Sequence, residues 1–311
     1  MSRLLRHTCF VLTLLASWSA GAPAATAANA DSAKVAQLFV YASSGEVRFR
    51  DMVQPAIDSL IAMGERAAPW LARKLDATDA RERLTLANIF KGIGAPAVPY
   101  VVPYLDSAGE YMPKNAARCL GQIADTSASR YLIPQLGNVL YAVRSEVATA
   151  LGQIKDTSAV DPLLGQLGRE RDGDVRKSCI VALGKIGDPR AIPSLLQGLS
   201  DPFFGARQTA VIALGNIAPA ATSAIVTFLH RAGGETRYNA IVALGMIDDP
   251  EAQAFLLNMV HSPDPMVRGF AFEGLTAHPD KTASTVIDEI APMETDPFVL
   301  AQIARYRRTA D

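Results

Sequence analysis

The fold is decided by the stretch from Val175 to Leu199, which reads VRKSCIVALGKIGDPRAIPSLLQGL. Around Leu183, small or apolar residues stand four and one residues before it and three residues after it. These offsets lie on one face of a 3.6-residue helix. Asp188 then marks a turn, and Pro193 stands near the start of a second helix, where its missing N–H costs nothing. The stretch therefore predicts a pair of helices that leaves one face apolar.

The same pattern recurs along most of the chain at intervals of 30 to 32 residues. The column equivalent to Leu183 contains Leu60, Phe90, Leu120, Leu151, Leu183, Leu214, Leu244 and Leu275. Small residues dominate the columns four and one residues before it, so neighbouring helices can approach closely. Each helix pair can bury its apolar face only by stacking on the next pair, and such stacking makes a solenoid.

The repeated pattern V-R-x-x-A-x-x-A-L-G-x-I-G-D-x-x-A-I-P-x-L resembles the short HEAT-like repeats of the phycobilin lyase type. The resemblance covers residues 46–291 and implies an all-α fold, an α-solenoid of about eight stacked helix pairs. The repeat is shorter than the ~40 to 47 residues of longer HEAT and armadillo units. We expect capping helices at both ends, in residues 31–45 and in residues 292–311.

The first 30 residues have the three-part layout of a secretory signal peptide. Arg3 and Arg6 give a positive start, ten apolar residues follow from Cys9, and an Ala-rich segment ends at Ala30. No stretch of the chain reaches the ~18 apolar residues of a transmembrane helix. We therefore expect removal of this segment, export of a single domain over residues 31–311, and a periplasmic or secreted location in a bacterium. The alternative is a buried N-terminal helix.

An arginine precedes the leucine column by seven residues in most copies: Arg83, Arg144, Arg176, Arg207, Arg237 and Arg268. A basic ladder of this kind could bind polyanions. The family resemblance instead implies that each arginine pairs with acids or turn carbonyls between adjacent copies. We favour this structural inter-repeat ladder, because the chain is slightly acidic and the arginines recur in register with the core columns.

Composition and motifs indicate neither a nucleic-acid binder nor an enzyme. The 30 basic and 31 acidic residues give a net charge of −1, which offers no attraction for polyanions. Deoxyhypusine hydroxylase also uses short HEAT-like repeats, with paired His-Glu steps as iron ligands, but His230, His261 and His278 are not followed by Glu. Cys119 and Cys179 fall in core columns two copies apart, beyond the reach of a disulfide. We expect buried thiols, no catalytic site, no metal and no cofactor.

The first helix of each pair lines the concave side of the solenoids that this chain resembles. Positions six and two residues before the leucine column, and two residues after it, point away from the buried columns. The candidate partner-binding residues on these positions are Arg118, Lys177, Val181, Lys185, Ile212, Tyr238, Val242 and Met246. Contiguous exposed apolar surface often marks a protein contact, where Tyr and Met are favoured. In the alternative interpretation, superhelical curvature buries these side chains between copies.

These features predict an exported, non-catalytic scaffold that binds a protein or peptide partner along its concave face, with no nucleic acid and no transmembrane segment. Two alternatives stay open. A cofactor-handling or lyase-like enzyme subunit would carry a chromophore or a metal. A periplasmic peptide- or ligand-binding factor of the chaperone type would be stabilised by its ligands without forming a stoichiometric protein complex.

Overall fold

A computed structural model describes residues 22–279 and 281–310 as a series of helices without a β-strand in that range. Residues 1–21 of the predicted signal peptide lie outside the described residues. The chain divides into two compact units, of which the first ends at Asp125 and the second begins at Thr126. No helix of the described range is long and apolar enough to span a membrane.

The described part of the first unit contains six α-helices: α1 (Ala22–Ala42), α2 (Arg50–Met63), α3 (Ala68–Ala72), α4 (Ala80–Ile93), α5 (Val98–Val101) and α6 (Tyr111–Ile123). The longer helices α1, α2, α4 and α6 pack side by side in chain order. Helix α1 begins before the predicted boundary at residue 31 and packs on α2. Its Val35 and Phe39 are buried, and the Phe39 ring meets Trp70 edge-on at 5.8 Å.

Twelve helices belong to the described part of the second unit: α7 (Ser129–Leu132), α8 (Tyr141–Ile154), α9 (Val160–Arg169), α10 (Gly173–Ile186), α11 (Ile192–Gly198), α12 (Phe204–Asn216), α13 (Thr222–Leu229), α14 (Gly234–Gly245), α15 (Pro250–Met259), α16 (Pro265–Ala277), α17 (Lys281–Ile290) and α18 (Pro297–Ala310). The first helices of the pairs, which are α8, α10, α12, α14, α16 and α18, form one layer in which each packs on the next. The second helices α9, α11, α13 and α15 pack against this layer. The result is an all-α solenoid of stacked helix pairs, as the sequence predicts.

The predicted core columns supply most of the interior of both units, although Ser59 is exposed and Ile93, Ile123 and Ile186 are only partly buried. The leucine column is buried in all eight copies, with relative exposures between 0 and 1%. A further column, three residues before the leucine, is also buried in every copy: Ile57, Ala87, Ala117, Ala148, Ile180, Val211, Ile241 and Phe272. A first helix is packed by the preceding and following first helices as well as by its own second helix, so its buried face is wider than the four predicted columns.

Glycine directly after the leucine lets neighbouring first helices approach closely. A Cβ built on Gly152 would lie 2.6 Å from the Ala182 Cα, and one on Gly184 would lie 2.6 Å from the Ala213 Cβ. Carbon atoms in ordinary contact are about 3.5–4.0 Å apart. In the Ala-Leu-Gly segment of the repeat, the glycine of one copy therefore packs against the alanine of the next copy.

Aspartates lie at the helix ends in the copy that contains residues 175–199. Asp172 caps α10 by accepting hydrogen bonds from the N–H groups of Asp174 and Val175, each at 3.0 Å. Asp188 accepts from the N–H of Arg190 at 2.9 Å in the turn that leads to α11. Between these two aspartates, α10 ends at Gly187, whose φ of 77° is the left-handed conformation that glycine adopts without strain.

Helix α18 takes the place of a further first helix at the C-terminal end. It packs on α16, and Asp296 caps it by accepting a hydrogen bond from the Phe298 N–H at 2.9 Å. Val299 and Ile303 are buried, whereas Leu300 is 40% exposed. Tyr306 is also buried, and its hydroxyl lies 3.3 Å from the Ser284 hydroxyl of α17.

Candidate functional site

Seven of the eight candidate partner-binding residues lie on the first helices of the second unit, and we call these seven the stripe. Helix α10 carries Lys177, Val181 and Lys185, α12 carries Ile212, α14 carries Tyr238 and Val242, and Met246 directly follows α14. The eighth candidate, Arg118, is on α6 in the first unit. The stripe therefore spans three consecutive first helices of one unit, and Arg118 is not part of it.

Exposure varies along the stripe. Ile212 is 50% exposed and Met246 is 44% exposed, and both lysines on α10 are exposed as well. Three stripe residues are partly buried: Val181, Tyr238 and Val242. The most accessible apolar side chains of the stripe are therefore Ile212 and Met246, with the positive charges on the neighbouring helix α10.

Tyr238 is held by contacts between repeats. Its ring stacks on Phe270 at 5.4 Å, and Phe270 meets Phe298 edge-on at the same distance. Its hydroxyl donates a hydrogen bond to the Asp264 carboxylate at 3.3 Å. Burial and the negative charge of Asp264 raise the pKa of Tyr238. This row of three aromatic rings joins α14, α16 and α18, so Tyr238 is a packing residue and only in part a surface residue.

A cleft of about 340 Å³ opens at the C-terminal end of the stripe. Val242 and Met246 line it from the side of α14, Glu273 and Thr276 line it from α16, and Arg305 lines it from α18. Val242, Met246 and Ala277 make part of its wall apolar, as in pockets that take an apolar group. The cleft can therefore receive an apolar side chain next to the exposed Met246.

Two glycines bring the walls of this cleft together. Gly245 and Gly274 face each other across the α14–α16 contact, and a Cβ on Gly245 would collide with the Gly274 Cα. Arg305 pairs with Glu273 at 3.5 Å, and both side chains remain substantially exposed. An exposed pair of this kind contributes little to stability, so it can exchange partners with a ligand.

Four arginines of the predicted ladder pair with an acid further along the chain. Arg144 meets Glu170 at 2.8 Å, Arg176 meets Asp201 at 2.7 Å, Arg207 meets Glu235 at 3.2 Å and Arg268 meets Glu294 at 2.8 Å. The same guanidinium groups donate to carbonyls in the turn before their own helix, as in the 2.8 Å hydrogen bond from Arg176 to the Arg171 carbonyl. Each of these arginines therefore ties the start of one first helix to the next repeat.

The other two ladder arginines have different contacts. Arg83 donates to the carbonyl of Thr78, in the turn before α4. The buried Nε atom of Arg237 has no hydrogen-bond partner among the described residues. Gly233 precedes α14 and Gly234 begins it, and the ladder is least complete at this position.

Two acids of the ladder have strongly lowered pKa values. Burial alone would raise the pKa of Glu170, but hydrogen bonds from Arg144 and from the N–H of Asp172 outweigh this effect and lower it to about 2. Hydrogen bonds from Arg268 lower the pKa of Glu294 to about 2 against the opposing effect of burial. Both carboxylates are therefore ionised at any ordinary pH and engaged within the protein.

The candidate reactive groups are dispersed. His230 and His261 are exposed, and His278 is partly buried with its Nδ1 atom 3.6 Å from Asp248. Cys119 and Cys179 are buried, as predicted, and burial raises the pKa of Cys179 to about 12. Within the described ranges, no three His, Cys, Asp or Glu side chains are grouped as metal ligands would be.

Stacked helix pairs, a glycine–alanine contact between copies and an arginine ladder define an α-solenoid repeat protein. A family model of HEAT repeats matches residues 131–215, 192–276 and 222–306, which together cover more than half of the chain. The chain therefore belongs to the HEAT repeat family. No curated protein sequence matches it significantly.

Solved structures similar to this chain include three natural helical-repeat proteins. Human deoxyhypusine hydroxylase in complex with glycerol is 20% identical, with a TM-score of 0.36, over 80% of this chain and 97% of the other. The complex of CpcE and CpcF of phycocyanin lyase from Nostoc is 21% identical, with a TM-score of 0.43, over 78% and 94%. The Escherichia coli protein YibA is 20% identical, with a TM-score of 0.48, over 82% and 96%. At these values none of the three bears on what this chain does.

Sequence reasoning did not identify the cleft. Val242 and Met246 are in the predicted stripe, but Glu273, Thr276 and Arg305 belong to other positions of the repeat. The sequence around Gly245 and Gly274 does indicate the cleft. Gly274 stands where most of the preceding copies have alanine directly before the column leucine, so that two glycines meet at the α14–α16 contact. A contact between two glycines predicts an unusually close pair of helices at this point.

Proposed function

We propose that the chain is a protein-interaction scaffold whose second unit binds a peptide segment of a partner across the first helices α10, α12 and α14. HEAT repeats generally mediate protein interactions. The observation that carries the proposal is the exposed apolar side chain of Met246 in the lining of the cleft at the end of α14, with a further exposed apolar side chain, Ile212, on the neighbouring first helix α12. Exposed apolar side chains beside a cleft often mark a site where another protein binds.

The cleft supplies an anchor point for such a segment. An apolar side chain of the partner would enter between Val242 and Thr276, and the contact with Met246 would exclude water from it. Binding energy in protein interfaces is concentrated in anchors of this type. The exposed Lys177 and Lys185 on α10 favour an acidic residue in the partner at the other end of the segment.

In this proposal the protein is non-catalytic and binds its partner after export. Its support is the signal-peptide pattern of the first 30 residues. The exported fraction is therefore the place to look for the partner. A complex of fixed stoichiometry distinguishes a scaffold from a chaperone-like factor, which would bind many peptides weakly. A chromophore or metal in the purified protein would instead favour the lyase-like alternative.

The test is a binding measurement with variants of the two exposed apolar residues. Ile212→Asp and Met246→Glu place charges on the surface and leave the aromatic row at Tyr238 intact. Val139→Asp is the matched control, since Val139 is 91% exposed and precedes α8 outside the stripe. We expect the two stripe variants to lose a partner purified from the exported fraction and the control to retain it. Equal binding by all three variants would contradict the proposal.

A further inference from the structure

A second cleft lies in the first unit, where the loop between α1 and α2 meets α4. Its volume is about 540 Å³, within the usual range for small-ligand pockets. The apolar part of its wall comes from Ala42, Val53 and Ile57. Arg50 and Arg81 line the same cleft, together with the hydroxyl-bearing side chain of Thr85. The cleft therefore combines an apolar wall with two guanidinium groups.

Both arginines have donors to spare. Arg81 uses Nη1 to donate to the Ser44 carbonyl at 3.0 Å, which leaves Nε and Nη2 for other acceptors. Within the part of the chain that the structure describes, no acid pairs with the guanidinium of Arg50. The cleft thus holds two guanidinium groups that still have free hydrogen-bond donors.

The acids near the cleft are already engaged. Glu46 lines the cleft, but its carboxylate pairs with Arg48 at 2.6 Å. Asp79 accepts hydrogen bonds from the N–H groups of Arg81 and Glu82 at the start of α4, at 2.9 and 3.0 Å. Asp79 is held as the cap of α4, although its charge still interacts with Arg81. The Glu46–Arg48 pair is exposed and can rearrange, so an anion from outside can displace Glu46 and meet Arg50 and Arg81.

Gly45 leaves room for the Arg81 guanidinium beside the loop. A Cβ on Gly45 would lie 2.6 Å from Nη1 and 2.8 Å from Cζ of Arg81. Only glycine therefore lets the guanidinium lie against the loop backbone and face the cleft. Because the clashing atoms are at the end of a flexible side chain, Gly45→Ala would move Arg81 while leaving the fold intact.

We propose that this cleft binds a ligand that carries a carboxylate on an apolar body. Guanidinium groups bind carboxylates through paired, charge-assisted hydrogen bonds. Thr85 can donate a further hydrogen bond, and the wall formed by Val53 and Ile57 accepts the apolar part. The C-terminal carboxylate of a peptide with an apolar last residue has this chemistry, and so does a free aliphatic acid. The site is independent of the stripe in the second unit.

The experiment is calorimetric titration of the full chain with three probes. Octanoate represents the free acid, an acetylated pentapeptide ending in leucine represents the peptide carboxylate, and the same peptide with an amidated end lacks the charge. We expect at least one acid to bind and the amide to bind about tenfold or more weakly, as expected for loss of a charged hydrogen bond. Binding of the peptide acid alone would assign the ligand as a peptide terminus, and binding of octanoate alone would assign it as a free acid.

Variants locate the binding in the cleft. Arg50→Gln, Arg81→Gln and Gly45→Ala should each weaken the acid that binds by about tenfold or more. Arg73→Gln is the matched control, since Arg73 is an exposed arginine of the same unit outside the cleft. Unfolding midpoints of all four variants verify that they fold. The proposal is wrong if no acid binds at millimolar concentration, if the amide binds as well as the acid, or if the cleft variants match the control.

Discussion

The contact between successive first helices can be tested by adding one methyl group. Gly184→Ala places a Cβ 2.6 Å from the Ala213 Cβ and 2.8 Å from the Ala213 Cα, across the α10–α12 interface. Restoring an ordinary carbon–carbon contact requires α12 to withdraw by about 1 Å. Overpacking of this kind costs about 1–3 kcal/mol. The same substitution gains up to about 1 kcal/mol of helix propensity, so a matched control is needed.

Gly165→Ala in α9 supplies that control. Gly165 is exposed within a helix, and its added Cβ would meet only the end of the Arg169 side chain at 3.9 Å. This variant should gain the propensity term without a clash, so the two variants should differ by about 1–3 kcal/mol in their free energy of unfolding.

Urea unfolding followed by circular dichroism measures the difference. Repeat arrays can unfold in stages, so hydrogen exchange of the α10 and α12 amides should accompany it. The local exchange shows whether the loss of stability arises at this interface. If Gly184→Ala stabilises the protein by as much as Gly165→Ala does, the helices are not in the close contact described here.

Three further outcomes follow from the ladder and the buried thiol. Glu170 has its folded pKa lowered from 4.5 to about 2, so its contribution to stability is complete above about pH 4.5 and is lost as the pH falls towards 2. Urea midpoints measured from neutral pH down to about pH 2 should therefore fall less steeply in Glu170→Gln, and identical slopes would contradict this. Arg176→Met should lose about 2 kcal/mol or more of its free energy of unfolding, because its ion pair is largely buried. Arg190→Met, which removes an arginine from exposed ion pairs, should lose clearly less in the same assay. Cys179 should react with Ellman's reagent only after unfolding, and rapid labelling of this thiol in the native protein, located by mass spectrometry, would show that it is accessible.

The fold was predictable because the length of the repeat and the spacing of its apolar residues both indicate stacked helix pairs. Leucine, alanine and isoleucine recur at helical spacing in most copies, and only a helix can place them on one face. The buried column of Ile180 and its equivalents was missed, because a helix with packed neighbours on both sides has a wider buried face than an amphipathic helix on a surface. The buried polar contacts also could not be predicted from the repeat pattern. Asn115 donates to the carbonyls of Leu75 and Ala77, about forty residues earlier, which no local spacing indicates.

The candidate surface was only partly predictable. The register correctly placed Ile212 and Met246 on an accessible face, since their positions oppose the core columns. It could not show that Tyr238 packs on Phe270, because that contact depends on side-chain directions in two different repeats. The cleft beside Met246 arises from residues of three helices and depends on their spacing in three dimensions. The arginine cleft of the first unit is likewise formed by a loop and three helices, α1, α2 and α4, and no single position of the repeat indicates it.

Site-specific photo-crosslinking is the most direct test of the proposed interaction surface. A photoreactive amino acid at position 212 or 246 would be activated in the native exported fraction, with position 139 as the control. We predict that positions 212 and 246 each capture one and the same protein, while position 139 does not. Capture of no protein from positions 212 and 246, or of the same set from position 139, would contradict the central claim that this face binds a partner.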